Sequence, residues 1–408
     1  LGLSVALVEE SLVGGTCLHR GCIPTKTLLQ SVRQFELIKR SNTFGVIVPG
    51  VPQFSFSEVQ ARKDALIARL QLSMEAQLSG VELVKETAQV LDKDCVRTGT
   101  SELKARYLLL ACGSRPATLP GFEFDAQTVL SSDDILKTAE VPKTLLIIGG
   151  GVIGCEFAGL FSSLGTEVTI AEITAQLLPG ADFDVAKKLE SAFRKRRIQV
   201  KLSCDAHTLE RSGFEKILVC VGRAPRLESL KNLQVAIDKK GVVVDDYLRT
   251  SAPTVFAAGD CTGKLMLAHF AGYQGTRAIE NMADPGHLRK ADTAAVPSCV
   301  YTHPEVASVG CTEAAAGAAN RSVEVRKFDF LGLGMARIMD ETEGFIKVLN
   351  DAKTGEIIGA SIVGARATEL IGIFGVAVSA KLSIARLRET IFAHPTFSEA
   401  IAEAVHKA

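Results

Sequence analysis

Short apolar runs alternate along the chain with stretches of helical periodicity. Val5–Glu9, Tyr107–Ala111, Thr144–Gly149, Glu167–Glu172 and Val255–Ala258 are rich in aliphatic side chains and mostly stop at a glycine or an acid. Helical patterns occupy Leu28–Arg40, Phe56–Leu78 and Leu267–Met282. Strand, helix, strand is the signature of βαβ units, so an α/β fold with parallel sheets is expected. Further along, strands are expected at Arg337–Ile338, Gly344–Leu349 and Glu356–Ile362, and helices at Glu369–Lys381 and Ile384–Thr390. Four zones emerge: 1–120, 121–245, 246–292 and 293–408. Pro116, Pro120 and Gly121 mark a linker after the first.

Length and composition narrow the class. At roughly 150 residues per domain, 408 residues make two to four domains. Apolar residues at 47% and charged residues at 23% belong to a globular chain. Forty-six basic residues cancel forty-six acidic ones, leaving no broad positive field for nucleic acid or an anionic membrane. The longest apolar runs, Leu145–Phe161 and Leu370–Ala380, are broken by glycines, so no spanning helix is expected. The chain starts at Leu1 without a basic, apolar leader, and no targeting signal is expected. Ten cysteines do not make a disulfide-stapled module, and Cys112, Cys155 and Cys220 read as small buried hydrophobes.

Three features carry chemistry. In "LLIIGGGVIGCEFAGLF", Gly149, Gly151 and Gly154 follow a strand and open a helix, and Glu172 ends the next strand about twenty residues on. Such glycines admit a pyrophosphate at a helix N-terminus, and the acid takes ribose hydroxyls while repelling a 2′-phosphate, which points to NAD. Glu9 ends a strand in the same way, the Gly-rich turn of its unit is expected upstream of Leu1, and "VFAAGD" empties into Gly259 and Asp260. A second nucleotide site could close between these segments and the Cys112-Gly113-Ser114 turn. In "GGTCLHRGCIPTK", Cys17 and Cys22 lie five apart with no second pair, which favours a redox couple over a metal site. Near the end, His394 precedes Pro395 and Glu399 follows, an acid/base arrangement.

Together with "LAHFAGYQG", "YTHPEVASVG" and "HPTFSEA", these motifs resemble the pyridine nucleotide–disulfide oxidoreductases over nearly the whole chain. The resemblance implies two Rossmann-like domains, for FAD (1–120 with 246–292) and NAD (121–245), and an α+β dimerisation domain (293–408). It implies that Cys22 faces the flavin as the charge-transfer thiolate and that Cys17 exchanges with a dithiol substrate. His394 would come from the second subunit of a homodimer, with Glu399 orienting it, and Lys26 and Glu156 would pair beside the flavin. Glu9, Gly15, Thr16, Lys26, Gly113, Gly259, Asp260, Leu267, Ala268 and His269 would border FAD. Gly149, Gly151, Gly154, Glu156, Glu172, Gly222 and Arg223 would border NAD.

Glu172, the lack of a C-terminal cysteine pair and Phe397 point to the branch that oxidises dihydrolipoyl groups for 2-oxo acid dehydrogenase complexes. The setting implied is cytoplasmic, or alternatively the mitochondrial matrix. Alternatives are reduction of another disulfide or of a metal ion, or a non-catalytic scaffold. The chain departs from the family at His19-Arg20 (usually Asn-Val), where positive charge could favour the thiolate or alter access. It departs again at Arg226 (usually Asn), and in Lys201–Glu215, which is shorter than the family's β-meander.

Overall fold

The computed structural model describes residues 2–406. Its centre is a five-stranded parallel sheet in the order Gln199–Lys201, Glu167–Ala171, Thr144–Ile148, Lys216–Val219, Val129–Leu130. In Thr144–Ile148 every residue after the first is buried, as expected of a strand covered on both faces. Helices Val152–Ser163 and Phe183–Lys195 make the crossovers. The order reverses between Thr144–Ile148 and Lys216–Val219, and at such a switch point the carboxyl ends of the strands open a crevice for ligands.

The helix Cys22–Lys39 packs Leu28 and Val32 into the same core as Phe157 and Phe161, and Val300, Val306, Phe345 and Val363 close that core from the C-terminal zone. The zones share one interior, so side chains remote in sequence meet at their junction. Beside the central sheet, Ala6–Val8 pairs in parallel with Glu82–Val84, and Val255–Ala257 with Leu108–Leu110. The second pairing delivers Gly113 and Ser114 next to Gly259 and Asp260, as the nucleotide-site expectation required. The C-terminal zone is a five-stranded antiparallel sheet, in the order Ser298–Val300, Val306–Gly310, Ile357–Val363, Phe345–Asp351, Val323–Asp329, with Ala367–Ser379 against it.

Three expectations are corrected. Arg337–Ile338 ends a short helix, Gly334–Ile338, because Leu333 and Ala336 are buried three residues apart and Arg337 Nε donates to the Leu331 carbonyl. Pro116 is not linker but closes the strand Ser114–Pro116, which pairs antiparallel with Arg223–Pro225 and ties the two nucleotide-binding regions together. Cys155 is buried, whereas Cys112 and Cys220 are only half-buried on a cavity wall, since each follows the carboxyl end of a sheet strand. No helix among the described residues is long and apolar enough to cross a membrane.

Candidate active site

The two cysteines sit where one helix breaks into another. Gly14, at φ 116, starts the helix Gly15–Arg20, and a Cβ there would meet Leu18 Cδ2 at 2.5 Å. Gly21 interrupts the helix, and a Cβ on it would press on the Thr16 carbonyl at 3.0 Å. Cys22 is thereby the first residue of the 18-residue helix Cys22–Lys39, where unpaired N–H groups and the helix dipole favour a negative charge. Pro24 is tolerated because the first turn lacks acceptors for its missing N–H.

Both cysteines are free thiols, and they share a proton unequally. The Cys17 thiol hydrogen-bonds to Cys22 and, with help from Lys26, draws the Cys22 pKa down to about 6 against the cost of burial. Cys17 is pushed well above the ordinary thiol range, chiefly by holding that bond and by burial. Cys22 is therefore the thiolate of the pair and Cys17 the thiol.

The charges expected to favour the thiolate act otherwise. His19 Nε2 is engaged with the Val13 carbonyl at 2.8 Å, and it is Lys26 whose charge lowers Cys22. Lys26 Nζ donates to both Glu156 oxygens, at 2.9 and 2.7 Å, and lies 4.7 Å from the centre of the Tyr301 ring. Glu156, its side chain 3% exposed, also accepts the Tyr301 N–H at 2.9 Å. A buried carboxylate with three hydrogen bonds has its acceptors satisfied without solvent.

These groups line one cavity of about 2920 Å³. Glu9, Gly15, Thr16, Gly113, Gly259, Asp260, Leu267, Ala268 and His269 are on its wall, as are Gly149, Gly151, Glu156, Glu172, Gly222 and Arg223. Gly154 lies beneath it, where a Cβ would be 2.0 Å from the Gly149 carbonyl, so helix and strand touch only through glycine. At Gly151, Gly113 and Gly222 a Cβ would meet no atom within 4 Å, so the backbone there is open to a ligand's phosphates. Glu172 receives the Gly150 N–H at 2.5 Å and the Thr174 N–H at 2.8 Å and keeps lone pairs for ribose hydroxyls. Arg223, expected beside NAD, turns its guanidinium to Ser114 (2.7 Å to Oγ, 3.0 Å to O) between the two cradles. Ser114 also donates to Asp260 at 2.5 Å. The cradles and the acids at their ends fit two dinucleotides.

His394 and Glu399 do not line this cavity. His394 Nδ1 is 2.8 Å from Glu399 Oε1, its side chain is 80% exposed, and Glu399 also accepts the Thr396 N–H. Asp182, Asp184 and Glu313 meet elsewhere, with Lys347 Nζ among them at 2.8, 2.6 and 2.6 Å, so an ammonium already offsets their charge. Sequence reasoning missed Tyr301 and Ser114. "YTHPEVASVG" and the Gly113-Ser114 turn had marked their neighbourhoods.

Comparison with known proteins decides the family. Residues 1–275 match "Pyridine nucleotide-disulphide oxidoreductase" and residues 296–405 its dimerisation domain. The chain belongs to the pyridine nucleotide–disulphide oxidoreductases. It is 34% identical to dihydrolipoyl dehydrogenase of Bacillus subtilis, over 99% of this chain and 93% of that one, and 35% identical to that of Chlamydia pneumoniae, over 98% and 91%. Its fold is similar to LpdA of Mycobacterium tuberculosis (TM-score 0.90, 26% identity, 98% and 93% covered). It is also similar to the HOCl-induced flavoprotein disulfide reductase RclA of Escherichia coli (TM-score 0.87, 27% identity, 99% and 94% covered). The chain is thus a flavin-dependent disulfide oxidoreductase with the family's dimerisation domain, and FAD and NAD are the cofactors of the family's dihydrolipoyl dehydrogenases.

Proposed function

We propose that the enzyme oxidises dihydrolipoyl groups to lipoyl with NAD as final acceptor, as a homodimer serving the lipoyl domains of 2-oxo acid dehydrogenase complexes. We assign residues 1–120 with 246–292 to the FAD-binding domain, 121–245 to the NAD-binding domain and 293–408 to the subunit interface. The observation that carries the reading is the polarised thiol pair, with Cys22 near pKa 6 beside the Lys26–Glu156 pair in a cavity that also holds two dinucleotide cradles. The full-length likeness to dihydrolipoyl dehydrogenases supports the substrate, and Glu172 supports NAD. A cytoplasmic setting, with the mitochondrial matrix as the alternative, suits ten free cysteines.

The residues divide the chemistry. Glu399 holds His394 Nδ1, which leaves Nε2 as the base. His394 of the partner subunit takes a proton from one substrate thiol, whose sulfur attacks Cys17 in the oxidised Cys17–Cys22 disulfide. That bond breaks and Cys22 departs as a thiolate, an easy leaving group at its depressed pKa. The second substrate thiol displaces Cys17 and closes the lipoyl ring, and Cys17, with its raised pKa, keeps a proton. The dithiol has lost two electrons and the protein disulfide has gained them. Bound FAD supplies the two-electron relay from this dithiol to NAD.

Anaerobic visible titration tests the reading. The flavin band should give way to a long-wavelength band with NADH and also with dihydrolipoamide. A flavin that answers NADH alone would make the enzyme a reductase of another disulfide or of a metal ion.

A further inference from the structure

Arg20 and Arg226, which depart from the family, have no task in the mechanism above. Arg20 ends the helix Gly15–Arg20, lines the main cavity, and has a side chain 34% exposed. Its one ion pair among the described residues is with Asp133, with Nε 3.8 Å from Oδ2, which is too long for a hydrogen bond. All five of its N–H donors are therefore uncommitted. Lys26, not Arg20, is the charge that lowers Cys22.

The neighbours of Arg20 give its position meaning. Burial draws the Arg223 pKa down, Asp133 and Asp260 hold it up, and the nearby charges of Arg20 and Arg226 add to the lowering. The Arg226 N–H donates to the Gly113 carbonyl at 3.0 Å, and Nη1 reaches Glu10 at 2.7 Å. Arg223 holds Ser114, which holds Asp260. Glu9, Glu10, the three arginines, Asp260 and the two cysteines all line the one cavity. A dinucleotide with its ribose on the acid and its reactive ring at the thiols has its diphosphate between them, where the guanidinium groups gather. Planar guanidinium donors match phosphate oxygens; Arg226 and Arg223 already face Glu10 and Asp260, whereas Arg20 only approaches Asp133 at 3.8 Å and has donors to offer.

We propose that Arg20, flanked by Arg223 and Arg226, is a phosphate-binding residue of this cavity that donates to the diphosphate of a bound dinucleotide. The chemistry is shared by FAD and NAD, and the position between the two cradles serves either. The proposal rests on the assignment of those cofactors and not on the identity of the dithiol.

The test compares Arg20→Gln and Arg20→Lys with the unaltered enzyme. FAD affinity is read from quenching of flavin fluorescence on reconstitution, and NAD affinity from equilibrium dialysis, so neither readout needs a dithiol or turnover. Loss of a charge-assisted contact should weaken one dinucleotide about tenfold or more in Arg20→Gln, with Arg20→Lys recovering part. Weakening of FAD alone assigns Arg20 to the flavin's diphosphate, and weakening of NAD alone to the nicotinamide dinucleotide's. Both affinities within about twofold of the unaltered enzyme would overturn the proposal, as would an effect confined to KM for dihydrolipoamide. If Arg20→Gln does not fold, Arg20→Lys decides by the same constants, because an ammonium lacks the planar fork.

Discussion

At the scale of single residues, the thiol pair shows how a fold makes one of two identical groups reactive. Cys22 gains a helix N-terminus, a hydrogen bond from Cys17 and the charge of Lys26, while Glu156 and burial work against it. Its folded pKa is lowered, so the thiolate is present above about pH 6 and is lost as the pH falls through that value. Steps that use the Cys22 thiolate of the reduced enzyme should slow on the acid side with this midpoint. Lys26→Met removes an attractive charge and leaves Glu156 with only the Tyr301 N–H, both of which disfavour the Cys22 thiolate. The acid limb of the pH–rate profile should move up by about one unit or more, while Lys26→Arg keeps it nearer its place. An unmoved limb would mean that Lys26 does not set the thiolate. The cysteines, Lys26, Glu156, His394 and Glu399 were legible because each sits in a local motif. Tyr301 was not, because its value lies in a backbone N–H brought to a residue 145 positions away.

At the scale of elements, hydrophobic period placed most of the elements it named within a residue or two, but it began the helix Cys22–Lys39 only at Leu28 and left most of the strands unnamed. The aliphatic runs stop where the chain leaves a sheet for the cavity, which is why glycine-tipped and acid-tipped strands also marked the site. The hairpins of Ala88–Asp92, Cys95–Thr98 and Ser101–Lys104 escaped notice, since their alternation carries mixed polar residues on a half-exposed face. Period also failed to show that Phe345–Asp351 buries a charge. Lys347 in its middle is 1% exposed, because Asp182 and Asp184 from the start of Phe183–Lys195 and Glu313 from another helix converge on it. This cluster joins the nucleotide-binding and C-terminal zones. Lys347→Met strands the buried Asp182 carboxylate and should cost about 3 kcal/mol, read as a lower denaturation midpoint. Adding Asp182→Asn removes the stranded charge, so the double variant should lose less than the sum of the single losses. Simple additivity would show that the ammonium and Asp182 do not act as a pair.

At the scale of the whole molecule, the groups proposed to be catalytic separate into two sets. Cys17, Cys22, Lys26 and Glu156 share the cavity, whereas His394 stands on an exposed segment beside Ile391, a residue 95% exposed. His394 is held by Glu399, exposed, outside the cavity of its own chain and within the dimerisation domain. The arrangement suits a base offered to a neighbouring subunit, so each active site would draw its sulfurs from one chain and its proton acceptor from the other. Complementation separates this from a site complete within one chain. Homodimers of Cys17→Ser and of His394→Gln should both fail to oxidise dihydrolipoamide. A heterodimer of the two, isolated with distinct affinity tags, pairs one intact disulfide with one intact histidine across the interface and should regain activity at a single site. Recovery requires that the groups act between chains, and a heterodimer as inactive as its parents would place His394 beside the cysteines of its own subunit.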